Sequence, residues 1–129
     1  MLFTKSIIKE VETDDGIRIS VMSRHTLNDG ITPDMRIKHY DMHIPILGPS
    51  PKLIGDHYKR NLAWPQFELR YLEEMNQEPQ KSIIWFICRL AIVQNVTLLC
   101  IEDTCEHCHR RLLAQLCKDI VPQLTIKHR

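Results

Sequence analysis

Val96-Thr-Leu-Leu-Cys-Ile101, followed at once by Glu102-Asp103, is the stretch on which the fold turns. Its single polar interruption is Thr97, and it is too short for a typical helix. The run predicts a central strand buried on both faces, as parallel sheets require. Downstream, Cys105-Glu-His-Cys-His-Arg-Arg111 leads into a helix predicted from about His109 to Ile120 and ended by Pro122. Upstream, Gly48-Pro-Ser50-Pro51 is a helix start, with Ser50 as N-cap and Pro51 at the first helical position. That helix is expected to run to about Lys59. A second is expected over Trp64 to Met75, where Phe67, Tyr71 and Met75 are spaced by four. A third, Lys81 to Gln94, places Ile83, Phe86, Ile87, Leu90 and Ala91 on one face.

Toward the N-terminus, Leu2 to Ile8 predicts a short strand and Glu12-Thr-Asp-Asp-Gly16 a polar turn. Ile17 to Ser23 alternates apolar and polar residues, the pattern of a strand with one buried face. Arg24 to Asp34 has loop composition. Met35 to Leu47 stays open between strand and irregular chain, because Pro45 opposes the alternation around Tyr40 to Ile44. Leu124 to Lys127 is expected to close the sheet. The order predicts a compact α/β fold, a single domain over residues 1–129 with a mostly parallel sheet flanked by helices.

The chain has 129 residues, 43% hydrophobic and 26% charged, which is one globular domain. Seventeen Lys and Arg against sixteen Asp and Glu leave a formal charge of +1, which argues against a nucleic-acid or anionic-membrane partner. No apolar run approaches the ~20 residues of a membrane span; the longest, Ile83 to Val93, contains Arg89. Met1 to Glu10 lacks the order of a secretory signal, so the odd count of five cysteines points to a reduced, cytoplasmic chain with free thiols. Cys88 and Cys117, set among helical apolar residues, are expected in the core.

The chemistry is expected beyond the carboxyl end of the central strand, where open α/β sheets bind ligands. In the leading reading a small anionic ligand, of nucleotide or phosphorylated-metabolite type, is held by Arg24 and Arg110. Cys108 is the nucleophile, with its pKa lowered at the helix N-terminus, or a polar contact in a ligand-sensing pocket, and Glu102 or His109 handles protons. His107 is an alternative base. Cys100 and Asp41 complete the candidate ligand-binding set, Asp41 sharing a strand face with His43. This reading calls for no cofactor and no resident metal. Cys105 and Arg111 also stand at the Cys-x5-Arg spacing of phosphatase loops, though without the glycine such loops carry.

Other readings stay open. Cys105-Glu-His-Cys108 has the spacing of a dithiol redox pair, but too few residues follow for a thioredoxin-like fold. Zinc could take Cys105, Cys108 and His107 or His109, with a fourth ligand from distant His25, His39, His43 or Cys100. The plainest alternative is a non-catalytic interaction module, with a homodimer as one form of it, in which the Cys-His-Arg segment is structural. Trp64, Phe67 and Tyr71 are expected in the core, and His57 at a solvated helix end.

From Asp15 to about Ile120 the chain resembles the domain of unknown function 488 family, its YeaO-like branch in particular. Gly48-Pro-Ser-Pro51 resembles that branch's Ala-Pro-Ser-Pro helix start, and Trp64, Phe67, Arg70 and Tyr71 match its Trp-x-x-Phe-x-x-Arg-Tyr pattern. Arg24 and Asp41 fall on an arginine and an aspartate of the branch. Leu99-Cys-Ile-Glu102 and Cys108-His-Arg110 resemble the wider family's Cys-x-Glu strand end and Cys-His-Arg helix start. Ser23 to Gly30 departs from the branch in lacking its tryptophan and proline, and Cys105 has no counterpart. The resemblance implies a compact α/β domain and groups Cys100, Glu102, Cys108, His109 and Arg110 at one site.

Overall fold

The computed structural model describes residues 1–129. Along the chain run β1 (Leu2–Ser6), β2 (Ile17–Ser20), β3 (Met42–His43), a 3-10 turn (Pro45–Leu47), α1 (Pro51–Lys59), α2 (Trp64–Met75), α3 (Gln80–Val93), β4 (Val96–Cys100), α4 (His109–Ile120) and β5 (Ile126–His128). The strands form one sheet in the order β3-β2-β4-β1-β5, and every neighbouring pair is parallel. This is the expected α/β domain, with β4 at its centre and all five of its residues buried. No helix is long and apolar enough to cross a membrane.

Register sorts the side chains onto two unlike faces. Leu2, Ile19, Val96 and Leu98 fall on one face and join Leu53, Phe67, Tyr71, Ile87, Leu113 and Cys117 from the four helices in the main core. Each fully buried aliphatic or aromatic side chain there contributes about 1.5–3 kcal/mol. Ser50 caps α1 as expected: its hydroxyl accepts from the Leu53 N–H at 3.2 Å and donates to Glu74, tying α1 to α2.

The opposite face differs from the expectation for β2. Arg18 and Ser20, the polar residues of its alternation, are buried as well as the apolar ones. Ser20 Oγ meets His25 Nε2 at 2.7 Å, and for Arg18 the reason is charge pairing beneath loops. Lys5 lies 3.2 Å from Asp15, Arg18 pairs with the same carboxylate, and Arg129 reaches its other oxygen at 2.9 Å. Burial raises the Asp15 pKa, but hydrogen bonds from the Glu12 N–H and Lys5 outweigh it and hold the carboxyl below its ordinary range. Gly16 lets this turn close: it has φ +66°, and a Cβ there would lie 1.9 Å from the Asn95 carbonyl oxygen.

Two further expectations change. Of Met35 to Leu47, only Met42–His43 is strand, and the 3-10 turn follows at Pro45. On α3 the buried residues are Ile84, Ile87, Cys88 and Ala91, whereas Phe86 is 62% exposed. That helix is apolar nearly all round, so periodicity fits more than one face and packing against α4 selects the one used.

The connections define a crevice. After β2 the chain moves outward to β3; after β4 it goes the opposite way, through α4 to β5. The carboxyl ends of these adjacent strands therefore part at a topological switch point, the usual ligand position in open α/β sheets.

Candidate functional site

Cys100 ends β4, Cys108 is the N-cap of α4, and His109 and Arg110 open that helix. The eight-residue return between Cys100 and His109 folds back on itself, so the two thiols face one carboxylate. Glu102 Oε2 accepts from Cys100 Sγ at 2.9 Å and from Cys108 Sγ at 3.3 Å. His109 Nε2 stands 2.7 Å from the Val21 carbonyl oxygen, which can only accept, so Nε2 carries the hydrogen. Its Nδ1 is thereby left toward Cys100 Sγ, 3.9 Å away. Cys100, Cys108 and His109 are all buried, and their Sγ, Sγ and ring nitrogen lie within 4.8 Å of one another.

Electrostatics follow from this packing. Burial pushes Glu102 up, but hydrogen bonds from Cys100, its own backbone and Cys108 outweigh it, leaving the carboxyl below its ordinary pKa. Burial works against protonation of His109, yet contacts with Cys108, Val21 and Glu102 prevail and raise it. Cys108 moves opposite to the sequence expectation. The adjacent Cys100 thiol and burial push it far above the usual thiol range, more than His109 lowers it. Without a further partner, Cys108 is a thiol and not a free thiolate.

The crevice above this floor encloses about 140 Å3. Met22, Arg24 and Thr26 line it from the β2 side, and Tyr58, Trp64 and His107 form the facing wall. Trp64 and His107 stack at 4.9 Å between ring centroids, and Phe67 stacks on the same indole at the same spacing. Tyr58 Oη reaches Glu102 Oε1 at 3.4 Å. The Thr26 hydroxyl is buried and meets no partner within the protein. A glycine shapes the rim: a Cβ on Gly48 would stand 2.3 Å from Ser23 Oγ, so only glycine lets the α1 approach lie against the end of β2.

The candidate residues divide. Cys100, Glu102, Cys108 and His109 converge on the floor, and exposed Arg24 lines the mouth. Arg110 is 1% exposed and stands behind the turn, where Nη1 donates to the Glu102 carbonyl oxygen at 2.8 Å and approaches Cys108 Sγ at 3.5 Å. It does not line the crevice. Asp41 is not brought to it either: exposed beside β3, it accepts from the Arg18 N–H at 2.8 Å. Its strand-face neighbour His43 instead stacks on His25, at 3.7 Å. Cys105 is half-buried and outside the thiol–imidazole group, so the close thiol partner of Cys108 is Cys100, not Cys105.

The wall residues Trp64, Tyr58 and His57 were not among the sequence-based site candidates, whereas His107, the alternative base, does line the crevice. Trp64 packs against the core and lines the crevice at once, and His57, expected to be solvated, is half-buried with Nδ1 2.7 Å from the Leu62 carbonyl oxygen. Helical spacing carries the first role of Trp64 and is silent about the second.

No curated protein and no solved structure gives a match. The family model DUF488-N3a, described as the active DUF488-N3 subclade, matches residues 2–120, from β1 to the end of α4. With nearly its whole length covered, floor and crevice included, the chain belongs to the DUF488-N3a family.

Proposed function

We propose that the crevice is an enzyme-like site for a compact anionic molecule, of nucleotide or phosphorylated-metabolite type. The observation that carries this reading is the convergence of Cys100, Glu102, Cys108 and His109 under an aromatic-walled opening at the switch point. Arg24 at the mouth meets the anion, and the partnerless Thr26 hydroxyl offers it a second polar contact. The enclosed volume suits one ring or a short chain against Trp64 and Tyr58, with the rest of the ligand extending past Arg24. Glu102, already hydrogen-bonded to both thiols, is the group placed to accept a proton, and His109 the group placed to hold one. Arg110 acts here as a positioning residue that holds the turn carrying Glu102 and Cys108.

Titration of the protein with inorganic phosphate and with a nucleoside monophosphate, followed by amide and indole NMR shifts, tests the reading. Shifts at Arg24, Thr26 and the Trp64 indole are expected. Arg24→Ala should weaken binding about tenfold or more, the worth of a charge-assisted contact. Spectra that stay unchanged with both ligands would remove it.

A second reading, an interaction module that pairs with a like copy, is favoured by the exposed apolar side chains of α3. Trp85 and Val93 are exposed there beside Phe86. Light scattering distinguishes it: a concentration-dependent mass abolished by Phe86→Glu supports the module, and a monomer at all concentrations ends it.

A further inference from the structure

We infer that Cys100, Cys108 and His109, with Glu102 as the fourth ligand, form a centre for a thiophilic divalent cation of the zinc class. The inference rests on the crevice being a functional site, but not on the identity or even the existence of an anionic ligand.

Geometry carries it. Zinc–sulfur bonds of about 2.3 Å and zinc–nitrogen bonds of about 2.0–2.1 Å place tetrahedral ligand atoms about 3.5–3.8 Å apart. Here Cys100 Sγ is 3.9 Å from His109 Nδ1, while Glu102 Oε2 is 2.9 Å and 3.3 Å from the two sulfurs. Small side-chain rotations convert such spacings into a coordination shell. The donor set of two thiolates, an imidazole and a carboxylate suits zinc and not the oxygen-preferring magnesium or calcium.

The surroundings are those of a ligand set. A metal-binding imidazole characteristically donates its other ring N–H to an oxygen, which fixes ring and tautomer. His109 does this with the Val21 carbonyl, presenting the Nδ1 lone pair to the sulfurs. Arg110 is buried, has no carboxylate partner, leaves Nε without a hydrogen bond, and directs Nη1 toward Cys108 Sγ. Two thiolates, one carboxylate and one divalent cation carry a net charge of −1, which the Arg110 guanidinium balances. Binding forms two metal–sulfur bonds and breaks two S–H bonds, and with His109 neutral at Nδ1 the two thiol protons leave to solvent or buffer. The three nitrogen and sulfur ligands are buried. Glu102 is half-buried and faces the crevice, so the fourth position lies on the ligand side.

The ligand set differs from a Cys-x-x-Cys site in a testable way, because Cys105 takes no part. Untagged protein, reduced and treated with chelator, is titrated with Co(II). The expected result is one ion per chain, with a thiolate-to-cobalt charge-transfer band, the strong visible bands of a tetrahedral site, and release of two protons. Cys100→Ser and Cys108→Ser should each lower affinity more than about a hundredfold, beyond the 10–100-fold typical of losing an outer partner. Cys105→Ser should bind as the unaltered chain does. If a cysteine variant loses its native circular dichroism, His109→Gln serves in its place and should weaken binding similarly. Absence of the charge-transfer band in the reduced, folded protein overturns the inference. So does a band lost with Cys105→Ser or retained with Cys100→Ser. The phosphate and nucleotide titration, repeated on chelator-treated protein, separates the two readings: an anion bound without a cobalt site removes only the metal centre, and the reverse removes only the anionic ligand.

Discussion

Two pairs of buried cysteines divide the molecule by role. Cys88 and Cys117 meet between α3 and α4, inside the main apolar core. Cys100 and Cys108 meet across the turn from β4 to α4, equally shielded from solvent, but with Glu102, His109 and Arg110 in reach. Burial therefore does not separate a packing thiol from a chemical one. Among apolar neighbours a thiol is a small hydrophobic group; beside a carboxylate and an imidazole it becomes a donor, a ligand or a nucleophile in waiting.

The largest effect that can break this contrast is on metal affinity. Cys108→Ser should reduce it more than about a hundredfold, whereas Cys88→Ser should leave the cobalt spectrum unchanged. Equal losses in both would erase the distinction. Next is stability at the guanidinium behind the turn. Arg110→Met removes a charge-assisted hydrogen bond to the Glu102 carbonyl and should cost about 2–3 kcal/mol in urea denaturation. Arg24→Met, at an exposed position, should stay within about 0.5 kcal/mol of the starting protein.

A finer test sets the two pairs directly against each other in the metal-free protein. Cys117→Ser places a hydroxyl among Leu113, Ala114 and the α3 side chains and should cost about 1–3 kcal/mol. Cys108→Ser retains a donor to Glu102, so its cost should stay below about 1 kcal/mol. Similar costs by denaturation would mean that Glu102 does not offer the acceptor its position implies.

The smallest expected effect concerns an imidazole away from the floor. Burial, followed by the charge of neighbouring His43, lowers His25 to about 4. Its ring stacks on His43 and meets Tyr40 edge-on, and Nε2 lies 2.7 Å from the Ser20 hydroxyl. The folded value lies below the ordinary 6.5, so the unfolded chain binds the proton first. Stability from this group is full above pH 6.5, falls as pH drops toward 4, and changes no further below that. Histidine NMR titration should find one ring with its midpoint near 4; a midpoint at or above 6.5 would show that the His25–His43 stack is open in solution.

Much of the architecture was legible residue by residue. Ser50-Pro51 started α1, the four-residue spacing of Phe67, Tyr71 and Met75 bounded α2, and the apolar run at Val96 became the middle strand. These signals are local: a cap, a period and a run of apolar side chains each act within a few residues. The Cys100–Glu102 and Cys108–His109–Arg110 segments were also recognisable as neighbours of one site, because only a short turn separates them.

What tertiary structure alone decided was the direction and partner of each side chain. Periodicity allowed several faces of α3, and packing against α4 chose Ile84 and Cys88 over Phe86. The alternation in β2 suggested a wet face, but Asp15, brought over by the turn at Gly16, made Arg18 a buried residue. Sequence spacing paired Cys108 with Cys105; the fold paired it with Cys100 and turned Arg110 inward, away from any ligand. Composition and spacing thus determined which groups this protein carries to the end of its central strand. Which of them meet, and across what crevice, depended on contacts between residues far apart in the chain, whose geometry no local pattern encodes.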